Sequence, residues 1–199
     1  MRRLYLLWGK QMNLDDIEKL TIEWGEDWGA AHVYRVLKLI DLIAEDLDYN
    51  REALLYAAYL HDWGAYPKYR RAGEDHAQRS RQIAAEEILP QTNLSADAVA
   101  IVLEAIELHD YRCPLPVQTT EALLLREADW LDMLGIIGFA RDFAWGPNNL
   151  RQCRERVLSR IKGIAGRFTL PQAKLIAAER LAEMEHCLQA LNQESFGHL

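Results

Sequence analysis

Six residues spread along the chain carry side chains that could hold a metal together: His32, His61, Asp62, His76, His109 and Asp129. Imidazole nitrogen mixed with carboxylate oxygen suits Mn²⁺, Fe²⁺, Zn²⁺, Ni²⁺ or Co²⁺ better than Mg²⁺ or Ca²⁺, which prefer shells made of oxygen. The densest part of the set is Leu60-His61-Asp62-Trp63-Gly64, after an apolar run from Ala53 to Leu60 that reads as a buried helix. The run sets an imidazole and a carboxylate side by side at the helix end, with Gly64 breaking the helix. A lone His-Asp pair is equally well a polar helix end, so the argument rests on the other members. Six donors exceed what one catalytic ion needs if it is to keep positions for water. They fit one or two ions, with Asp62 the natural bridge between two.

The remaining donors interrupt apolar stripes. His32 precedes Val36, Ile40, Ile43 and Leu47 at spacings of three or four and so lies on a buried stripe, away from Arg35, Lys38 and Asp41. Asp129 sits among Leu124, Leu125, Ala128 and Leu131. An unpartnered carboxylate there costs several kcal/mol, so it requires a cation or several donors. His109 ends a helix whose stripe includes Val102, Ala105 and Ile106. His76 falls in the first turn of a helix, where the dipole does not favour an imidazolium and a neutral, metal-binding imidazole is expected. His186, near Glu183 and Glu185, and His198, in the tail, are expected away from the site.

The elements that must position these residues are helices. Periodicity of three to four runs through nearly every segment, strand-like alternation is absent, and the fold class expected is all-α. The spacing predicts helices over Asn13–Trp24, with Asn13 as N-cap, then Ala30–Asp48, Arg51–Asp62 and Asp75–Leu89. Ser95 caps a helix running to His109, and Thr120–Trp145 is helical with interruptions near Gly135 and Gly138. Leu150–Ile164 follows, and a last helix to Gln193 opens at Thr169-Leu170-Pro171-Gln172, with capping-box spacing and Pro in the first turn. Loops are expected over Trp24–Gly29, Trp63–Glu74 and Tyr111–Thr119.

Composition bounds the function. At 199 residues the chain reads as one domain able to bury a core. A net charge of −7 argues against a dedicated nucleic-acid surface but leaves room for a local cationic pocket. No apolar run is long enough for a bilayer, and the basic, apolar start Met1–Trp8 lacks a small-residue cleavage site, so no membrane role is expected. Cys113, Cys153 and Cys187 form neither a disulfide framework nor a CxxC site, and a reducing cytoplasm is the expected compartment.

His32, the pair His61-Asp62 and the distant Asp129, all on helices, resemble the motif of the HD-domain superfamily of metal-dependent phosphohydrolases. The resemblance covers roughly Ala30 to Asp132. Ala128-Asp129-Trp130-Leu131-Asp132-Met133-Leu134-Gly135 is similar to that family's A-D-x-L-D-x-L-G segment. Gly138-Phe139-Ala140-Arg141-Asp142-Phe143-Ala144-Trp145-Gly146 is similar to a segment of small bacterial members that hydrolyse nucleotide phosphoanhydrides, and Ala173-Lys174 with Ala178-Glu179-Arg180 extends the likeness. The resemblance implies an HD helical bundle over 1–199, with the metal core at about 30–145 and helices of 150–193 packed on it. There is one departure. Where those members often carry an Asp three residues after Asp62, this chain has Ala65. His76 and His109 instead resemble the extra histidines of two-metal members.

The function expected is hydrolysis of a small, nucleotide-like phosphoester or phosphoanhydride by metal-activated water, with Asp62 as the catalytic carboxylate. Substrate-binding candidates are Lys68, Arg79 and Arg112, with Arg79 favoured for its spacing from His76; Arg70 and Arg71 are further cations, and Arg141 is a candidate partner for Asp132 or Glu127. Trp63 is the tryptophan whose position suggests a role beyond packing. Two alternatives use the same residues: a diiron oxygenase, and a non-catalytic nucleotide-binding or regulatory module. Oligomeric state is not legible.

Overall fold

The computed structural model describes residues 11–199; the segment from Met1 to Trp8 lies outside the described residues. The chain forms α1 (Leu14–Trp24), α2 (Glu26–Ile43), α3 (Arg51–Leu60), α4 (His76–Ile83), α5 (Ala96–Leu108), α6 (Thr120–Asp132), α7 (Gly135–Ala144), α8 (Leu150–Ile164) and α9 (Pro171–Glu194). No strand occurs among the described residues, and no helix among them is long and apolar enough to cross a membrane.

Local signals account for most helix starts. Asn13 accepts from the Asp16 amide while Asp16 reaches back, a full capping box, and Asn50, Ser95 and Thr119 cap α3, α5 and α6 through their side chains. α6 is the central element. It packs on α2, α3 and α5 and also touches α7 and α9, and its residues from Leu124 to Asp132 are all buried. The break between α6 and α7 falls at Gly135, whose φ of +72° is open to glycine and whose bare α-carbon faces Arg180 of α9. Arg180 donates to the Leu131 carbonyl at 2.6 Å, pinning α9 to the end of α6.

Three expectations are corrected. Trp24–Gly29 is almost wholly helical, because Gly25 and Gly29 serve as contact points: a Cβ at Gly29 would lie 2.7 Å from the Tyr66 hydroxyl. α2 stops at Ile43, so Leu47 is left at the surface instead of extending the His32 stripe. Thr169 does not cap α9. The N-cap is Leu170, without a side-chain bond, and the orphan amides are met across the fold by buried Glu127. Its carboxylate accepts from the Thr169 amide and hydroxyl, both at 2.6 Å, and from the Leu170 amide at 3.1 Å.

Glu127 thus ties α6 to the start of α9 by three hydrogen bonds to one buried carboxylate. Glu127→Ala is expected to lower unfolding free energy by about 3 kcal/mol in urea titration. A loss below about 0.5 kcal/mol would show the cap to be dispensable.

Candidate metal centre

Five segments deliver the expected donors to one place. α2 brings His32, the end of α3 brings His61 and Asp62, α4 begins with His76, α5 ends at His109, and α6 carries Asp129. His32 Nε2 lies 3.1 Å from His61 Nε2, 3.2 Å from Asp129 Oδ1 and 3.5 Å from Asp62 Oδ2. On the other side of Asp62, its Oδ1 is 3.5 Å from His76 Nε2 and 3.8 Å from His109 Nε2, and those two nitrogens are 3.2 Å apart. All six donors therefore form two clusters that share Asp62, one on each of its oxygens.

The loop after α3 sets this arrangement. Asp62 precedes a 3₁₀ turn, Trp63–Ala65, whose Gly64 amide donates to Ser80 Oγ at 2.8 Å. A Cβ on Gly64 would lie 2.3 Å from the His76 carbonyl oxygen, so only glycine lets this turn sit so close to α4. Asp75 caps α4 from the Ala77 and Gln78 amides and fixes its first residue, His76. Trp130 of α6 donates to the His109 carbonyl at 2.8 Å and holds the end of α5.

The donor chemistry fits a metal. Asp129 is buried, and among the described residues neither of its oxygens has a hydrogen-bond partner; His32 Nε2 is near, at 3.2 Å, but forms no hydrogen bond to it. Such an atom pair is costly unless a cation meets it. Ring orientation agrees. His61 Nδ1 donates to the Ala58 carbonyl at 2.8 Å and His109 Nδ1 to the Ile106 carbonyl at 2.6 Å, which leaves each Nε2 lone pair facing the cluster. His32 Nδ1 donates to Asp132 Oδ2 at 2.7 Å with the same result. His76 differs, because its Nδ1 accepts from Arg112 at 3.3 Å. That bond favours a proton on Nε2, so an ion there must displace the Arg112 contact. The second cluster is the weaker of the two on this ground.

Electrostatics separate the ligands. Burial pushes His61 down to about 4, aided by His109 and His32, so it is neutral near pH 7. Burial also acts first on His32, but its contacts with Asp129 and Asp132 and the field of Asp62 outweigh it and raise the imidazole to about 9. Burial would raise Asp62, yet the surrounding imidazoles hold it well below the usual carboxylate range.

The sequence reading missed Asp132 as a site residue. This buried carboxylate takes His32 Nδ1, Arg35 Nε at 2.6 Å and Arg141 at 2.9 Å. Arg141 thus takes one of the two partners expected for it. The signal was present, since Asp132 shares a face with Asp129. Asp110 was likewise not assigned to the metal, although its carboxylate lies 3.5 Å from His76 Nε2.

Of the expected substrate cations, only Arg112 lines the cleft over the site. Lys68 lies over the Trp24 ring, 2.9 Å from its centroid. Arg79 is buried, donating to the Tyr69 carbonyl at 3.2 Å and to Gln82 at 2.6 Å. Neither lines the cleft: Lys68 contacts aromatic rings, and Arg79 contacts a backbone carbonyl and the Gln82 side chain. Trp63 is fully buried, bonded to Thr21 and packed edge-on to Trp24, so its role is packing. His186 and His198 are exposed and outside both clusters.

The cleft is about 390 Å³. Asp62, Ala65, His76, Asp110 and Arg112 line it, together with Arg141, Trp145, Arg156 and Arg160 from later in the chain. Residues 29–134 match the family model described as HD domain. The chain belongs to the HD domain family. That segment contains every donor of both clusters. A predicted HD superfamily hydrolase from an uncultured Thermotogales bacterium is similar over 98% of this chain and 99% of its own, at 25% identity and a TM-score of 0.63. Lin1889 from Listeria innocua is similar at 21% identity, over 92% of this chain and 97% of its own, with a TM-score of 0.65. Bacillus subtilis YpgQ, solved in complex with ADP, is similar at 18% identity, over 91% of this chain and 94% of its own, with a TM-score of 0.68. Among curated proteins no match was found. The HD domain and the similarity to an HD superfamily hydrolase support a metal-dependent hydrolase as the kind of protein this HD chain is.

A metal binds only neutral imidazole, so an ion entering at neutral pH must expel the proton that His32 holds up to about 9. Calorimetric titration of Mn²⁺ into metal-free protein, in buffers of different ionisation enthalpy, is expected to report about one proton released near pH 7.5. The release should fade as pH rises through about 9. In the metal-free protein the raised value contributes stability that is full below the ordinary 6.5 and lost as pH climbs toward 9. A proton count of zero at neutral pH would contradict this assignment.

Proposed function

We propose that this HD-domain chain hydrolyses a phosphoester or phosphoanhydride bond in a small, nucleotide-like substrate, using one or two divalent transition-metal ions. The observation that carries the reading is the position of Asp62, one oxygen on each donor cluster, at the floor of a cleft rich in arginine. Bound metal would lower the pKa of a coordinated water and offset the charge on the phosphoryl group. His32, His61, Asp62 and Asp129 are the ligands of one ion; His76 and His109, with Asp62, are those of a second. Mn²⁺, Fe²⁺, Zn²⁺, Ni²⁺ and Co²⁺ fit this donor set, and Mg²⁺ fits it less well.

The chain's own residues do the rest. Arg112 is braced by Asp110, to which its Nε donates at 2.9 Å, and presents a fixed guanidinium beside His76. Phosphate oxygens entering the cleft meet Arg112 and Arg156 as charge-assisted donors. Burial acts to raise Asp110, but hydrogen bonds from Arg112 outweigh it and hold the carboxyl below its usual range. Asp110 therefore positions Arg112 and is unsuited to giving a proton to the leaving group. Asp62 and His76 form the open edge of the donor set, being 13% and 22% exposed. Substrate therefore approaches from the bridge side, while the Asp129 side stays closed to water. The ADP complex of the similar YpgQ supports a small phosphorylated ligand. The complete donor set beside an open cleft favours turnover over a binding-only module. In this reading the whole chain acts as one HD-type domain.

The test is metal content and phosphate release across a nucleotide screen with Mn²⁺, Co²⁺ and Mg²⁺. Asp129→Ala is expected to lose bound metal and to lower turnover by about 10³-fold or more, and His109→Ala to reduce two ions to about one. Rates should be equal with and without oxygen, because hydrolysis consumes none. An oxygen requirement points to the oxygenase alternative, and full turnover in both variants sinks the metal assignment.

A further inference from the structure

Two of the metal donors, Asp62 and His76, line the cleft; residues of the later helices α7 and α8, outside the matched segment 29–134, line it too. Arg156, Ser159 and Arg160 line it at a spacing that puts them on one face of α8. Buried Asp142 stands behind them. Arg160 reaches its Oδ1 at 2.8 Å and is largely covered, whereas Arg156 is 48% exposed and reaches the same oxygen only at 3.4 Å. Arg156 thus keeps donors directed at the cleft, held there by one long contact.

A second cleft, about 280 Å³ and mostly apolar, adjoins the first. The two share Trp28, Arg141 and Trp145. Arg141 is anchored by Asp132 at 2.9 Å, with its guanidinium carbon 5.5 Å from the Trp145 ring centroid. Trp145 is half exposed and packs edge-on against Trp28 at 4.9 Å. Ala31, Ala140 and Ala144 leave the space between them open. An apolar slot bounded by indoles accepts a flat ring, and it opens directly into an arginine-lined space beside the metal donors.

We infer that the second cleft takes the base of a nucleoside diphosphate or triphosphate, and that Arg156 and Ser159 hold a phosphate other than the one that reacts. This rests on the hydrolase reading for placing the reacting phosphate at Asp62. It adds that selectivity for the nucleoside is set by Trp28, Trp145 and Arg156, all three outside the matched segment.

The test uses metal-loaded full-length protein and two probes, α,β-methylene ADP and methylene diphosphonate, whose P–C–P bridges resist hydrolysis. Both are titrated calorimetrically into wild type, Ala140→Phe and Arg156→Ala. Positions 140 and 156 are exposed, so both variants are expected to fold, and thermal melts check this. Ala140→Phe fills the apolar cleft and is expected to weaken the nucleotide analogue about tenfold while changing the diphosphonate less than about twofold. Arg156→Ala is expected to weaken both by about threefold or more. The inference is overturned if wild type binds the two probes equally, or if Ala140→Phe affects them alike. If this binding pattern appears but no phosphate ester is turned over, the hydrolase reading fails and the base and phosphate subsites stand. If nucleotides are hydrolysed but the pattern is absent, only the subsites fail.

Discussion

A carboxylate closed off from water must be met by a cation or by donors, and among the described residues Asp129 has no well-aligned hydrogen-bond donor. Much of the fold can be read as a consequence. α6 runs through the centre, with helices on several sides, which excludes water from Asp129. The Nε2 atoms of His32 and His61 lie 3.2 Å and 4.0 Å from its Oδ1. Without a positive ion the group is a local cost of several kcal/mol, comparable to the net stability of a small domain. In the metal-free protein a protonated His32 partly fills that role. This explains why its imidazole is held up to about 9 despite complete burial.

The outer supports keep these ligands from rearranging. Asp132 joins α6 to α2 through His32 and Arg35 and to α7 through Arg141. Glu127, two residues before Asp129, joins α6 to the start of α9. Asp110 and Arg112 brace the open side. The rigid half of the site is therefore the His32–Asp129 side, supported by buried bonds. The adaptable half is the His76 side, where an arginine occupies the nitrogen opposite the metal face. On the proposed two-ion reading, this difference predicts a tight first ion and a weaker second one.

The sequence disclosed the site better than its surroundings. The stripes that His32 and Asp129 interrupt are local periodic patterns, and the six expected donors do converge. The caps at Asn13 and Ser95 are also local, as is the break at Gly135. What escaped depends on contacts distant in sequence. Arg79 sits one turn after a donor, yet its guanidinium turns back to the Tyr69 carbonyl. Lys68 is exposed, but its ammonium lies over the ring of Trp24, far off in the chain. Thr169 has the spacing of a cap, but Glu127 offers its amide a better acceptor. The glycines at 25 and 29 read as breakers, and their missing side chains instead make room for Tyr66. The part of the cleft lining on α8 has a charged helix face that looks like ordinary solvated surface until the fold brings it into the same cleft as Asp62.

The central claim is that Asp62 bridges two donor groups, one of which holds an ion that meets Asp129. Anomalous diffraction at the manganese edge, from crystals grown with Mn²⁺, tests it most directly. The account predicts a strong peak among His32, His61, Asp62 and Asp129. A second peak, weaker or absent at low Mn²⁺, should lie among Asp62, His76 and His109. Ordered manganese elsewhere, with Asp129 still lacking any partner, would contradict it.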